Sequence, residues 1–292
     1  MPAMVLLRFA VRASLAASAF AVASFAVASC SLALQTDGEQ CSADADCAAR
    51  GAGFAGTVCK EHVCQAKPVV VDPKWGCIGN VKPPAPGKMD TVSLQLLDLI
   101  SQTAAQGYTV KLCNKYDTSC ASPLGKPIPD AKGFVTVTLP SDLEAYLEVQ
   151  GGGYVPSIVF IDHVNAAKNT DILLVPTGAA MGFATTAGVT LDPTKAILLV
   201  RTIDCTGART AGVSVSLFPT DKETRFYVIN QAVTPNATTT DTAGNSGFVN
   251  VDQGPPAITA TLGPGGKEIG KVATLVRPGY LTFQLLGPTP TL

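Results

Sequence analysis

The sequence predicts a mainly β chain: two tandem antiparallel β-sandwiches that follow a signal peptide and a short disulfide-rich stub. Three observations carry this prediction. From residue 77 onward apolar residues alternate with polar ones at period two, in runs separated by turns containing Gly or Pro. The order of strand and turn signals in the first half recurs in the second. Four of the nine cysteines crowd between positions 41 and 64, where too little apolar material is available for a hydrophobic core.

The first 29 residues read as a signal peptide. Arg8 and Arg12 precede an alanine-rich apolar stretch from Ala13 to Ala28, and no acidic residue occurs before Asp37. The stretch is shorter than the ~20 residues that a spanning helix needs, and a simple secretory signal or a short N-terminal membrane anchor is the plainer alternative to a lipoprotein signal. It ends at Val27-Ala28-Ser29-Cys30, which resembles the bacterial lipobox; the resemblance implies cleavage before Cys30 and a diacylglyceryl thioether on that cysteine. Ser31 rather than Asp at the next position implies, by resemblance to Gram-negative sorting rules, the outer membrane, with the chain periplasmic or surface-exposed. Residues 30–40 would then be a tether.

Residues 41–65 form the stub. Setting Cys30 aside leaves eight cysteines, an even number in an exported chain, which reads as four disulfides whose connectivity sequence alone does not fix. The working assignment is Cys41 with Cys59 and Cys47 with Cys64, each closing a loop worth about 3 kcal/mol in the chain-entropy account. The competing reading of the cluster is a zinc site, but only Cys59-x4-Cys64 approaches the C-x2-4-C spacing of structural zinc. Asp44 and Asp46 lack the remaining oxygen ligands of a calcium loop and read as a solvated turn. The run Cys41-Ser-Ala-Asp-Ala-Asp-Cys47 with Val58-Cys59-Lys-Glu-His-Val-Cys64 resembles the Dickkopf-N-terminal-like or EGF-like stubs of bacterial surface lipoproteins.

Residues 66–76, with Pro68 and Pro73 flanking three valines, read as an extended linker. The first sandwich is expected over 77–192. Its strands show in Val92, Leu94 and Leu96, in Val110 and Leu112, and in Val135, Val137 and Leu139, with turns at Pro123–Gly125, Pro129–Gly133 and Gly151–Gly153. A short helix fits Leu97 to Gln106, and another is expected within 162–193, against the first sandwich or wedged between the two. The second sandwich is expected over 193–292, from the strand Ala196–Val200.

The two halves align. Gly107-Tyr-Thr-Val-Lys-Leu112 corresponds to Gly212-Val-Ser-Val-Ser-Leu217, and the turn Asp130-Ala-Lys-Gly133 to Asp241-Thr-Ala-Gly244. Pro140 to Val149 matches Gly254 to Leu262, and Gly153 to Phe160 matches Pro278 to Phe283. In each D-x-x-G turn the Asp side chain caps the backbone and the Gly supplies positive φ. Together these motifs resemble the carboxypeptidase-regulatory-like, transthyretin-like domains, Ig-like antiparallel sandwiches that decorate other modules. Phe226 to Asn230 takes the place of the Cys113 to Cys120 segment. Cys113 and Cys120 are close enough to staple a strand end, which leaves Cys77 and Cys205 as a bridge between the halves.

Composition narrows function. The 21 basic residues are scattered and balanced by 22 acidic ones, so no basic patch for nucleic acid is present. Only two histidines occur, His62 and His163, and neither has Glu at the H-x-x-E spacing; G-x-S-x-G and Walker motifs are absent. Asp162 and His163 are neighbours in sequence, and on a strand they would point to opposite faces. No catalytic residue, metal ligand or cofactor is assigned. Trp75 reads as core filler rather than a glycan platform, Asn236-Ala-Thr238 as a polar loop rather than a glycosylation site, and Tyr154 and Tyr280 as matched structural positions. Two functions stay open: a lipid-tethered binding or adhesion module for an envelope protein, peptide or glycan, and a structural spacer with no ligand.

Overall fold

The computed structural model describes residues 39–54, 57–66, 72–161, 170–219 and 224–290. The segment read as a signal peptide, Cys30, Asp162, His163 and part of the segment read as a linker lie outside the described residues. The chain divides into two compact units, residues 1–69 and 70–292.

The first unit is the stub. Helix α1 (Asp44–Ala49) is followed by a hairpin of β1 (Thr57–Lys60) and β2 (Val63–Ala66). The two-residue hairpin turn places Glu61 and His62 at positive φ, the geometry that matches the twist of the flanking strands. Asp46 reaches back to the backbone N–H groups of Ser42 and Ala43, which satisfies donors that the helix start leaves open. Disulfides Cys41–Cys59 and Cys47–Cys64 tie the helix to the hairpin, and Cys47 is fully buried between them.

The second unit is a β-sandwich structure of three sheets. In its first half, β3 (Met89–Asp98), β5 (Phe134–Pro140) and β8 (Thr170–Leu174) form a three-stranded sheet of order β5-β3-β8. Strands β4 (Tyr108–Asn114), β6 (Ala145–Gly151) and β7 (Ser157–Phe160) oppose it. In the second half, β10 (Val213–Phe218), β14 (Ala257–Leu262) and β15 (Glu268–Ala273) form the other small sheet. The remaining strands are β9 (Ala196–Thr202), β11 (Thr224–Ile229), β12 (Ala232–Thr234), β13 (Asn245–Val251) and β16 (Leu281–Leu286). They join β7, β6 and β4 in one eight-stranded sheet, β12-β11-β13-β9-β16-β7-β6-β4.

The point between residues 192 and 193 is therefore not a gap between two bodies. β16 pairs in parallel with both β7 and β9 and makes one sheet of the two halves. Antiparallel pairing holds in the hairpins; the parallel pairs are these two and β3 with β8.

Side-chain alternation explains the layers. Along β9, Ile197 packs into the core of the first half, while Ala196, Leu198 and Val200 pack into that of the second. Successive strand residues face opposite sides of a sheet, so the two small sheets cover opposite faces of the shared one. A strand covered on both faces reads as a continuous apolar run, as Ala196-Ile-Leu-Leu-Val200 does. On β16, Leu281 and Phe283 likewise serve the first core and Leu286 the second.

The repeat is real, and its last match shifts by one strand. The sheet β5-β3-β8, with β3 parallel to β8, corresponds to β13-β9-β16, with β9 parallel to β16; β4-β6-β7 corresponds to β10-β14-β15. The structural partner of β16 is therefore β8 and not β7, as the likeness of Gly153–Phe160 to Pro278–Phe283 had indicated. Both segments carry Gly-Tyr before an apolar strand, and local pattern does not register which neighbour a strand will find. The turns do coincide. Asp130 and Asp241 each accept from the backbone N–H two residues on, and the carbonyls of Gly133 and Gly244 accept from Leu96 and Thr202. A Cβ on Gly133 would stand 2.6 Å from the Leu96 carbonyl oxygen, and one on Gly244 2.5 Å from that of Thr202, so both positions exclude a side chain.

Residues 97–106 are not a helix. β3 continues to Asp98, whose side chain accepts from the Ile100 and Ser101 N–H groups and turns the chain back. The helix within 162–193 is α2 (Thr177–Thr186). Its Ala180 enters the first core, and Ala184, with Ala187 just beyond it, packs on Phe226 and Val249 of the shared sheet.

Candidate functional site

Of the residues singled out from sequence, the eight cysteines form four disulfides: the two in the stub, Cys113–Cys120 and Cys77–Cys205. The sulfurs of Cys41, Cys47 and Cys64 lie within 4.8 Å of one another, but each is spent in a disulfide and offers no thiolate to a metal. The Asp44 carboxylate accepts from the Cys59 N–H at 2.8 Å, and Asp46 is held below the usual carboxylate range by hydrogen bonds from Ser42 and Ala43. Trp75 packs against the second core. Tyr280 accepts from Gln150, and Tyr154 stands edge-on to Tyr108 with ring centres 6.5 Å apart.

Two buried charge clusters tie the halves together. Glu148, 2% exposed on β6, takes Lys111 at 2.9 Å and Arg277 from the β15–β16 connection. The Arg277 guanidinium also meets the Tyr146 hydroxyl and lies over the Tyr146 and Tyr280 rings. Arg201 on β9 is buried over the Phe283 ring and bonded to Asn245 and to the Asp171 carbonyl. Burial and the nearby Arg209 charge push its pKa down to about 10, against the opposing pull of Asp171. These ionisable groups face one another, which is a structural use of charge.

A cavity of about 390 Å³ differs from both clusters. It opens where β16 outruns β7, whose last pairing is Phe283 with Val159. Phe160, Leu286 and Val272 give it apolar surface, and Pro83, Pro84 and Pro288 give walls that lack a backbone donor. Lys115 and Glu144 line it as a pair already closed on itself: Lys115 meets one Glu144 oxygen at 2.6 Å, and the Tyr116 hydroxyl the other at 3.0 Å. Asp142 also lines the cavity, is exposed and has no ion pair among the described residues.

Gln284 is the exceptional lining residue. It is 6% exposed, and its Nε2 donates to the carbonyl of the next residue, Leu285, at 2.8 Å. Its Oε1 is buried without a hydrogen-bond partner. A buried acceptor left unmade costs on the order of 1–3 kcal/mol. Sequence reading missed this residue, although a single amide inside the apolar run Leu281-Thr-Phe-Gln-Leu-Leu286 was the available signal.

No protein-family model matches the chain, and no curated protein matches it. Among solved structures, the shaft pilin SpaA from Lactobacillus rhamnosus GG is similar over 70% of this chain and 100% of that chain, at 15% identity and a TM-score of 0.22. BcpA, the major pilin subunit of Bacillus cereus, is similar over 69% and 100%, at 10% identity and a TM-score of 0.23. The Bacillus anthracis TIE protein is similar over 68% of this chain and 34% of that chain, at 12% identity and a TM-score of 0.21. The chain thus spans about a third of the TIE protein, and values this low assign neither a family nor a function.

Proposed function

We propose that this chain is a non-catalytic binding module of a bacterial envelope, tethered to the outer membrane through a lipidated Cys30. The observation that carries the recognition reading is the contrast between the buried groups. Glu148 and Arg201 are engaged by fixed partners, and the unpartnered buried atoms of Arg277, Tyr108 and Thr274 lie away from the cavity, whereas Gln284 keeps its unpartnered acceptor at the cavity. Fixed partners hold a fold together, and an unused polar atom at an apolar cavity is a feature of ligand sites. The tether reading rests on the charge and hydrophobicity pattern ahead of Cys30.

The structural-spacer reading draws on the shared sheet, which joins the two halves, and on the Cys77–Cys205 disulfide. Capture from solubilised envelope separates the two readings, with the folded chain as bait and the same chain reduced and unfolded as control. A partner retained only by the folded bait supports recognition; empty capture with the fold intact favours the spacer. Cys30→Ala should abolish membrane association, and a membrane-bound, normally lipidated variant would refute the tether.

A further inference from the structure

We propose that the stub is a thiol-triggered disulfide switch: its crossed bridges, Cys41–Cys59 and Cys47–Cys64, convert to the local pair Cys41–Cys47 and Cys59–Cys64, which unfastens helix α1 from the hairpin. This goes beyond the recognition reading and does not rest on it.

The sulfurs are placed for such an exchange. Each native bridge joins the segment around α1 to one hairpin strand. Yet the sulfurs of Cys41 and Cys47, which belong to different bridges, lie within 4.8 Å of one another. Cys59 and Cys64 are direct partners in the β1–β2 register. Opposed hairpin residues share a face with Cβ atoms about 4.5–5.5 Å apart, and a disulfide spans about 3.5–4.5 Å between Cβ atoms. A small closure of the hairpin therefore joins them. Four cysteines allow three pairings. Both partners of the local pairing already stand side by side, whereas the third pairing needs Cys47 with Cys59, and Cys59 falls outside the close group of Cys41, Cys47 and Cys64.

Exposure sets the entry. Cys41 and Cys47 are buried, at 5% and 0%, while Cys59 and Cys64, one in each bridge, are only partly buried. An external thiolate, such as that of glutathione, attacks the Cys59 sulfur, forms a mixed disulfide there and expels Cys41 as its thiolate. The Cys41 thiolate attacks the Cys47 sulfur, forms the Cys41–Cys47 bond and expels the Cys64 thiolate. Cys64 then attacks the Cys59 sulfur of the mixed disulfide, forms Cys59–Cys64 and returns the external thiolate. Entry at Cys64 runs through the same group: Cys47 is expelled and attacks Cys41, and the released Cys59 resolves the mixed disulfide. Either route leaves no net oxidation or reduction, so the thiol acts as a catalyst. Neither new bridge crosses between the helix and the hairpin.

The test is disulfide mapping of the detergent-solubilised full chain after incubation with a small amount of reduced glutathione, with acid quenching and thiol blocking before digestion. Trypsin cuts after Arg50 and Lys60, which separates Cys41 and Cys47 from Cys59, and Cys59 from Cys64. The crossed pairing holds the three peptides together. The local pairing frees the peptide that carries Cys41 and Cys47, and leaves residues 51–60 bound only to the peptide that starts at Glu61. We expect this two-peptide species to grow with incubation and to be absent without thiol, while Cys113–Cys120 and Cys77–Cys205 stay intact. Cys59→Ser starts the exchange without an external thiol: iodoacetamide should tag Cys64, released as Cys41 closes on Cys47, and should spare Cys41. A stub that stays crossed until it is reduced outright would overturn the proposal, as would a Cys59→Ser chain tagged on Cys41 alone.

Discussion

The shared sheet predicts that both halves of the second unit melt together. Leu147→Ala deletes a fully buried side chain in the first core, and Leu198→Ala one in the second. Each truncation costs about 3 kcal/mol, the lower part of the range for buried leucines. A unit of about 220 residues shifts its Tm by about 2–4 °C per kcal/mol, so each variant should melt about 6–12 °C lower. Its unfolding enthalpy at Tm should be about 150 kcal/mol, at about 0.7 kcal/mol per residue. Scanning calorimetry measures both quantities, and the calorimetric and van't Hoff enthalpies should agree. Hydrogen exchange adds a local readout at two matched amides, Leu96 bonded to Gly133 and Thr202 bonded to Gly244. Either variant should accelerate exchange at both. Two transitions of about half the enthalpy, with each variant moving only its own, would refute the shared-sheet account.

Other perturbations follow from single contacts. Glu148→Ala leaves Arg277 buried beside Lys111 without its acid and should cost about 3–5 kcal/mol in urea denaturation, whereas Glu148→Leu paired with Arg277→Met should recover most of that loss. Gly133→Ala places a methyl group against the Leu96 carbonyl and should destabilise by at least the ~1–2 kcal/mol of the left-handed conformation, while Lys132→Ala in the same turn should be nearly silent. Reduction should unfold the stub, where two disulfides stand in for a core, and alkylation before reduction should find no free thiol among the eight paired cysteines. Tyr108 titrates at about 12 because burial, with the nearby Tyr154 and Asp130, disfavours the phenolate. The folded pKa is raised above the unfolded value near 10, so its contribution to stability is complete below pH 10 and is lost as pH rises through 12. Absorbance at 295 nm should show a tyrosine titrating late, coincident with falling stability; titration of every tyrosine near pH 10 in the folded protein would contradict this.

Much of the architecture is local and therefore legible. Strands β3 and β5 announce themselves because Val92, Leu94 and Leu96, and Val135, Val137 and Leu139, alternate with side chains that face outward. The D-x-x-G turns are legible because Asp and Gly supply a capped turn with positive φ within four residues. The assignment of a helix to Leu97–Gln106 failed on the same local scale. Asp98 bonds two following N–H groups and Gln102 takes positive φ, a turn that apolar spacing alone does not reveal.

By itself, then, the sequence determined the β class, the positions of most strands, the paired turns and an even set of cysteines, since each is a property of a few adjacent residues. Tertiary structure decided which strands became neighbours. Ala196 to Val200 carries apolar residues for two faces, but nothing in that run states that β3, β5 and β8 cover one face and β10, β14 and β15 the other. The match of β16 to β8, the joining of β16 to β7, and the cavity left where β7 ends all depend on contacts between residues far apart in the chain. Gln284 acquires its meaning there. An amide among leucines is unremarkable in a sequence; only the tertiary structure shows that its oxygen is buried without a donor.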